Sequence, residues 1–125
     1  RPGTVSFEEV VASCDLITLH CSLTSGSRGL IDTDALSAMA EGTVLINTAR
    51  GEIVNEADLI NALNDKVIAG AGLDVFEHEP LATDSPLRRM DNCLIAPHNS
   101  NSSPEAWGRV HVNSLNMLVE ELRKE

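Results

Sequence analysis

Arg50, Glu79 and His98 are the residues of this sequence whose types and placement suit catalysis. Arg50 follows the apolar run Val44-Leu45-Ile46, where a charge is costly unless it has a partner. Its planar guanidinium fork suits a carboxylate, although a structural salt bridge to Glu52 or Asp74 would meet the same cost. His98 follows Pro97, which stiffens the approach to it, and a histidine can give or take a proton near neutral pH. Taken alone, such a histidine is more often a hydrogen-bonded structural residue. Glu79 is of a type to hold the His98 ring and stabilise its imidazolium. Taken alone it is a loop carboxylate, and Glu77 competes with it for any role. Together the three fit acid–base chemistry on a carbonyl or alcohol that lies next to a carboxylate. If the reaction is a hydride transfer, a nicotinamide cofactor must supply the hydride.

The glycine-rich dinucleotide loop is not in these residues. Gly70-Ala71-Gly72 reads G-x-G, but it lies inside a strand pattern, and Val75 stands where a third glycine belongs. A metal site built from Asp74, His78, Glu79 and His98 lacks ligand spacing.

The elements that must position these side chains alternate. Ser6 and Glu9 form a capping box for a short helix over 6–12. Leu16 to Leu19 reads as a buried strand. Asp32 caps a helix with Ala35, Leu36 and Met39 as its apolar positions, and Gly42 ends it. Val44-Leu45-Ile46 is the next strand. Asn55 caps a helix with Leu59, Ile60 and Leu63 on its inner face. Ile68 to Leu73 and Cys93 to Ala96 are further strands. Ser103-Pro104 opens a long helix whose apolar positions are Trp107, Val110, Leu115, Leu118 and Leu122. Short buried strands alternating with helices predict an α/β fold with a parallel, Rossmann-like sheet. Ligands of such sheets bind beyond the carboxyl ends of the strands. The strand ends are His20-Cys21-Ser22, Asn47 to Gly51, Asp74 to Pro80 and Pro97 to Ser100, so the reactive residues fall on one edge.

Composition narrows the function classes. The chain has 125 residues, 42% hydrophobic and 22% charged, which suits one globular domain. A net charge of −10 repels phosphate backbones, and the aromatic residues are too few for base stacking, so nucleic acid is an improbable partner. No apolar run reaches the ~18 residues of a membrane span. The three cysteines, Cys14, Cys21 and Cys93, form no CxxC pair and read as small core hydrophobes in a reduced, cytoplasmic setting. The opening Arg1-Pro2-Gly3 carries no initiator Met and no signal peptide, and reads as a cut piece of something larger.

At these residues the chain resembles the D-isomer-specific 2-hydroxyacid dehydrogenases. The resemblance rests on Leu19-His20-x-x-Leu23-Thr24, on Asn47-Thr48-Ala49-Arg50-Gly51-x-Ile53-Val54-x-Glu56, on Gly72-Leu73-Asp74-Val75-Phe76-x-x-Glu79-Pro80, and on Pro97-His98. It implies that Arg50 holds the substrate carboxylate, that His98 is the acid/base and that Glu79 is its partner. It places Asp74 at the nicotinamide carboxamide, with Cys21, Thr48, Ala49, Arg50, His98 and Ser100 also on the cofactor, NAD or NADP. Residues 1–103 would be the C-terminal part of a NAD(P)-binding domain. Residues 104–125 would be a helix crossing toward a substrate domain outside the chain. The implied activity is hydride exchange between NAD(P) and a D-2-hydroxyacid or 2-keto acid, in a cytoplasmic homodimer, with the 125 residues alone inactive. The alternative is a nucleotide-sensing corepressor-type binding protein of the same fold. Two positions depart from the family pattern: Ser22 stands where Pro is usual, and Ser100 where Gly is usual.

Overall fold

A computed structural model describes residues 3–99 and 103–123. Helix α1, Phe7–Ser13, starts where Ser6 Oγ accepts from the Glu9 amide at 3.2 Å. It leads into strand β1, Leu16–Leu19. Helix α2, Thr33–Ala38, is capped by Asp32, whose carboxylate accepts from the Ala35 amide. Strand β2, Val44–Asn47, is followed by helix α3, Glu56–Asn64, with Asn55 as its cap. Strands β3, Gly70–Leu73, and β4, Cys93–Ile95, complete the sheet. Helix α4, Pro104–Leu122, starts at Ser103, whose Oγ accepts from the Ala106 amide.

The four strands lie side by side in chain order, and every pair is parallel. Crossovers that always step in the same direction with the same hand place their helices on one face. Accordingly α1 packs on α2 and α2 on α3. The face beneath them is the core: Ile17, Leu19, Leu45, Ala71 and Leu73 are buried against Leu36, Leu59 and Leu63. Alternate residues point to the other face, as the pleat requires. There Leu16 and Leu94 are 58% and 77% exposed.

Several boundaries differ from the sequence expectation: α1 runs Phe7–Ser13, one residue later than 6–12, and β2 takes in Asn47 as its last residue. Helix α2 ends at Ala38, and the Met39 amide closes on Leu36 O three residues before Gly42. Strand β3 begins at Gly70, because Ile68 is buried outside the ladder. Strand β4 ends at Ile95, although the Ala96 amide still donates to Leu73 O at 2.8 Å. Two 3₁₀ turns, Gly51–Ile53 and Pro86–Arg89, have no periodic signal and were not expected. Helix α4 buries none of its described residues, so its apolar positions Trp107, Val110, Leu115, Leu118 and Leu122 stay exposed.

The loops at the carboxyl ends of the strands are tied to one another. The Gly29 amide donates to Glu52 O at 2.8 Å, Ile31 to Ile53 O at 3.0 Å, and Asn55 back to Ile31 O at 2.9 Å. These bonds join the loop after β1 to the loop after β2. The loops after β2 and β3 meet at Gly51. A Cβ on Gly51 would lie 1.9 Å from both the carbonyl carbon and the oxygen of Phe76. No side chain fits there, and the obstacle is backbone, which cannot rotate away.

Gly51→Ala is therefore expected to cost about 3 kcal/mol or more of stability, at or above the upper end of ordinary overpacking. Gly42→Ala, where a Cβ meets nothing within 4 Å, should stay within about 0.5 kcal/mol of wild type. Urea unfolding of the two variants checks the contrast.

Candidate active site

Each expected catalytic residue sits just past the carboxyl end of a strand. Arg50 follows β2, Asp74 and Glu79 follow β3, and His98 follows β4. The loop that carries Arg50 is shaped by Asn47, the last residue of β2. Its side chain is 1% exposed. Asn47 Nδ2 donates to Arg50 O at 2.9 Å, and Asn47 Oδ1 accepts from the Ala49 amide at 3.1 Å. A buried amide thus satisfies the backbone of Thr48-Ala49-Arg50 and turns it onto the rim. The exposed Arg50 guanidinium donates to Ala49 O. Among the described residues it forms no salt bridge with Glu52 or Asp74; Glu52 instead faces Arg28 at 3.8 Å. The fork is left available to an anion from outside.

Glu79 and His98 meet. His98 Nδ1 lies 2.7 Å from Glu79 Oε2. A carboxylate can only accept, so the Nδ1–H donates, and Nε2 is left for other chemistry. Glu79 Oε1 accepts from the Phe76 amide at 3.0 Å. The His98 hydrogen bond, and after it the Phe76 amide, hold the Glu79 carboxyl below its usual 4.5. Glu77 does not compete for the ring: its carboxylate accepts from the Glu56 amide instead.

His98 has a φ of 55°, the left-handed region. Such a conformation costs a non-glycine residue about 1–3 kcal/mol and persists only where neighbours impose it. They do so on both sides. The ring is fixed by Glu79, and the following amide, of Asn99, donates to Asp74 Oδ1 at 2.9 Å. Asp74 is 4% exposed and its own amide donates to Asn47 O. Here Asp74 anchors the turn at His98.

Two clefts open on this edge. One, of about 480 Å³, is lined by His20, Cys21, Ser22, Thr48, Ala49 and Arg50. It gathers the expected cofactor residues of the first two strand ends. The other, of about 340 Å³, is lined by Glu79, His98 and the apolar Phe76, Leu81, Ile95 and Pro97. Ser100 lies outside the described residues. The cysteines divide: Cys14 and Cys93 pack against the core, whereas Cys21 is exposed on the first cleft and is no core hydrophobe. Burial pushes the Cys93 thiol up to about 11, so it stays protonated at neutral pH. Among the described residues no group of three metal-ligating side chains comes together, and no helix is long and apolar enough to cross a membrane.

Sequence reasoning missed Asn47 as the brace of the Arg50 loop and Gly51 as a point of backbone contact. The signal for the first was present: a polar amide closing the apolar run of β2. The second required knowing which loop passes in front of it.

A parallel sheet with an arginine, a carboxylate–histidine pair and open clefts along its carboxyl edge is an α/β domain of Rossmann-like type. Residues 2–100 match the family model of the D-isomer specific 2-hydroxyacid dehydrogenase NAD binding domain, and the chain belongs to that family. It is 40% identical over 121 residues to a human glyoxylate reductase/hydroxypyruvate reductase, covering 97% of this chain and 37% of that protein. Among solved structures it is similar to a D-isomer specific 2-hydroxyacid dehydrogenase from Xanthobacter autotrophicus in complex with NADPH and MES. That match has a TM-score of 0.72 and 43% identity, over 74% of this chain and 29% of the other. An NAD-complexed relative from Lactobacillus delbrueckii superposes with a TM-score of 0.74 and 32% identity, over 82% and 35% of the two chains. The chain thus spans about a third of the length of the relatives it matches.

The lowered Glu79 value fixes the sign of one pH effect. Its stabilising contribution is complete above the ordinary 4.5 and is lost as the pH falls through the lower folded value. His98→Asn tolerates the left-handed backbone but removes the ring. Carboxyl carbon NMR of Glu79 should show its midpoint rising toward 4.5 in that variant. An unmoved midpoint would mean that the ring hydrogen bond is not the cause.

Proposed function

We propose that this chain supplies the substrate-facing part of the NAD(P) domain of a D-2-hydroxyacid dehydrogenase, and that the rest of that enzyme lies in further sequence. The observation that carries the reading is the 2.7 Å contact between His98 Nδ1 and Glu79, on the same sheet edge as an arginine without a salt bridge among the described residues. Bound NAD(P) would supply the hydride. The cleft formed by Cys21, Thr48, Ala49 and Arg50 suits one end of such a cofactor, and the family resemblance adds Asp74, His98 and Ser100 to the residues that would meet it. Neither cleft holds a glycine-rich phosphate loop, so the residues fit the nicotinamide end only.

The chain's own residues divide the work. Arg50 grips the carboxylate of a 2-keto acid with its two-pronged fork and so sets the angle of the neighbouring carbonyl. His98 hands the proton on Nε2 to the carbonyl oxygen during reduction and takes it back during oxidation. Glu79 keeps the ring oriented through Nδ1 and balances the imidazolium charge. The relatives are named as reductases and dehydrogenases, which supports turnover over the corepressor-type alternative; nothing in the geometry favours the latter. Residues 104–125, with their exposed apolar positions, are assigned to packing against the substrate domain. A cytoplasmic homodimer rests on the family resemblance alone.

Kinetics of the full-length enzyme with 2-keto acids and both NADH and NADPH test these roles. His98→Asn should lower kcat by about 10²–10⁴ and leave dinucleotide affinity nearly intact. A variant that keeps more than about a third of kcat would overturn the acid–base role. Arg50→Lys keeps the charge and loses the fork, so KM for the keto acid should rise first.

The 125 residues alone should show no turnover and weak or absent NADH binding. A micromolar Kd from calorimetric titration of that chain would contradict the proposed division of the domain.

A further inference from the structure

Two half-buried carboxylates, Glu56 and Glu77, stand side by side at the start of α3, where like charges repel. Burial first, and the Glu77 charge as well, push the Glu56 carboxyl above its usual value. Such a pairing persists only if something offsets it. Each carboxylate accepts the other residue's backbone amide: Glu56 N donates to Glu77 Oε1 at 3.0 Å, and Glu77 N donates to Glu56 Oε2 at 3.3 Å. The two bonds join the first turn of α3 to the middle of the loop that follows β3.

That loop carries Glu79. Its turn is closed by the Phe76 amide on Glu79 Oε1, and Glu79 Oε2 holds the His98 ring. The close approach of the Phe76 backbone to Gly51 leaves Phe76 little room to move inward and does nothing to hold it from the other side. Hydrogen bonds are attractive, so the Glu56–Glu77 pair resists movement outward. Without the Glu56 acceptor, the partly buried Glu77 amide has lost its partner and the loop is held from one side only.

We propose that Glu56 is a positioning residue for the Glu79–His98 pair, acting through its reciprocal hydrogen bonds with Glu77. The role needs an acceptor at position 56 and does not need a charge. Its kinetic consequence rests on the dehydrogenase reading above; its structural consequence does not.

The test compares Glu56→Ala with Glu56→Gln, whose amide oxygen can still accept from Glu77. In the 125-residue chain, carboxyl NMR follows Glu79, which is faced by His98, Asp74 and the Phe76 amide. Glu56→Ala should move the Glu79 midpoint up toward its ordinary value, and Glu56→Gln should restore it. In the full-length enzyme, Glu56→Ala should lower kcat about tenfold or more, with KM for the dinucleotide little changed, and Glu56→Gln should recover most of the loss. If Glu56→Ala does not fold, Glu77→Ala removes the opposite acceptor and carries the same expectation. A folded Ala variant with an unmoved Glu79 midpoint overturns the proposal, as does a Gln variant no better than Ala. His98→Asn separates the two readings: full activity in that variant refutes the acid–base role, and the NMR comparison then decides the positioning role by itself.

Discussion

The backbone contact between Gly51 and Phe76 is the constraint on which the rest of this edge depends. The loop after β2 carries Arg50, and the loop after β3 carries Glu79. The two can lie against each other only because nothing projects from residue 51. A methyl group there would push the loops apart and separate the anion-binding fork from the proton-handling pair. Asn47 works on the same point from beneath, since its buried amide caps the turn that leads Arg50 to Gly51. A buried amide is tolerated there because both of its polar ends are used.

Strain and its compensation are arranged around His98. Its left-handed backbone is unfavourable by itself, and the cost is met by Asp74 on the following amide and Glu79 on the ring. Asp74 and Glu79 belong to the same loop, six residues or fewer from β3, so one segment sets both the backbone and the ring of the histidine. A residue held this way cannot swing freely between rotamers, which suits a proton donor whose position must be kept.

The sheet is covered on one face by α1, α2 and α3, while Leu16 and Leu94 stand exposed on the other. The same physical situation holds along α4, whose apolar positions are exposed. Both surfaces fit a chain that matches about a third of its relatives' length.

Much of this was legible in the order of the residues. Local capping chemistry placed the helix starts at Ser6, Asp32, Asn55 and Ser103, because a side-chain cap acts within three residues of itself. Apolar runs located the strands, and the parallel arrangement followed from their alternation with helices, which put Arg50, Glu79 and His98 on one edge. The end of α2 was misplaced because Gly42 is only one of several ways to stop a helix, and here the Met39 amide closes the last turn sooner. What only the tertiary structure decided were relations between segments distant in the chain. The sequence left open whether Arg50 pairs with Glu52 or Asp74, and whether Glu77 or Glu79 takes the histidine. Those choices depend on distances of a few ångströms between loops. Periodicity and capping are local and carry no such distances, whereas the contact at Gly51, the Asn47 brace and the parallel register set them.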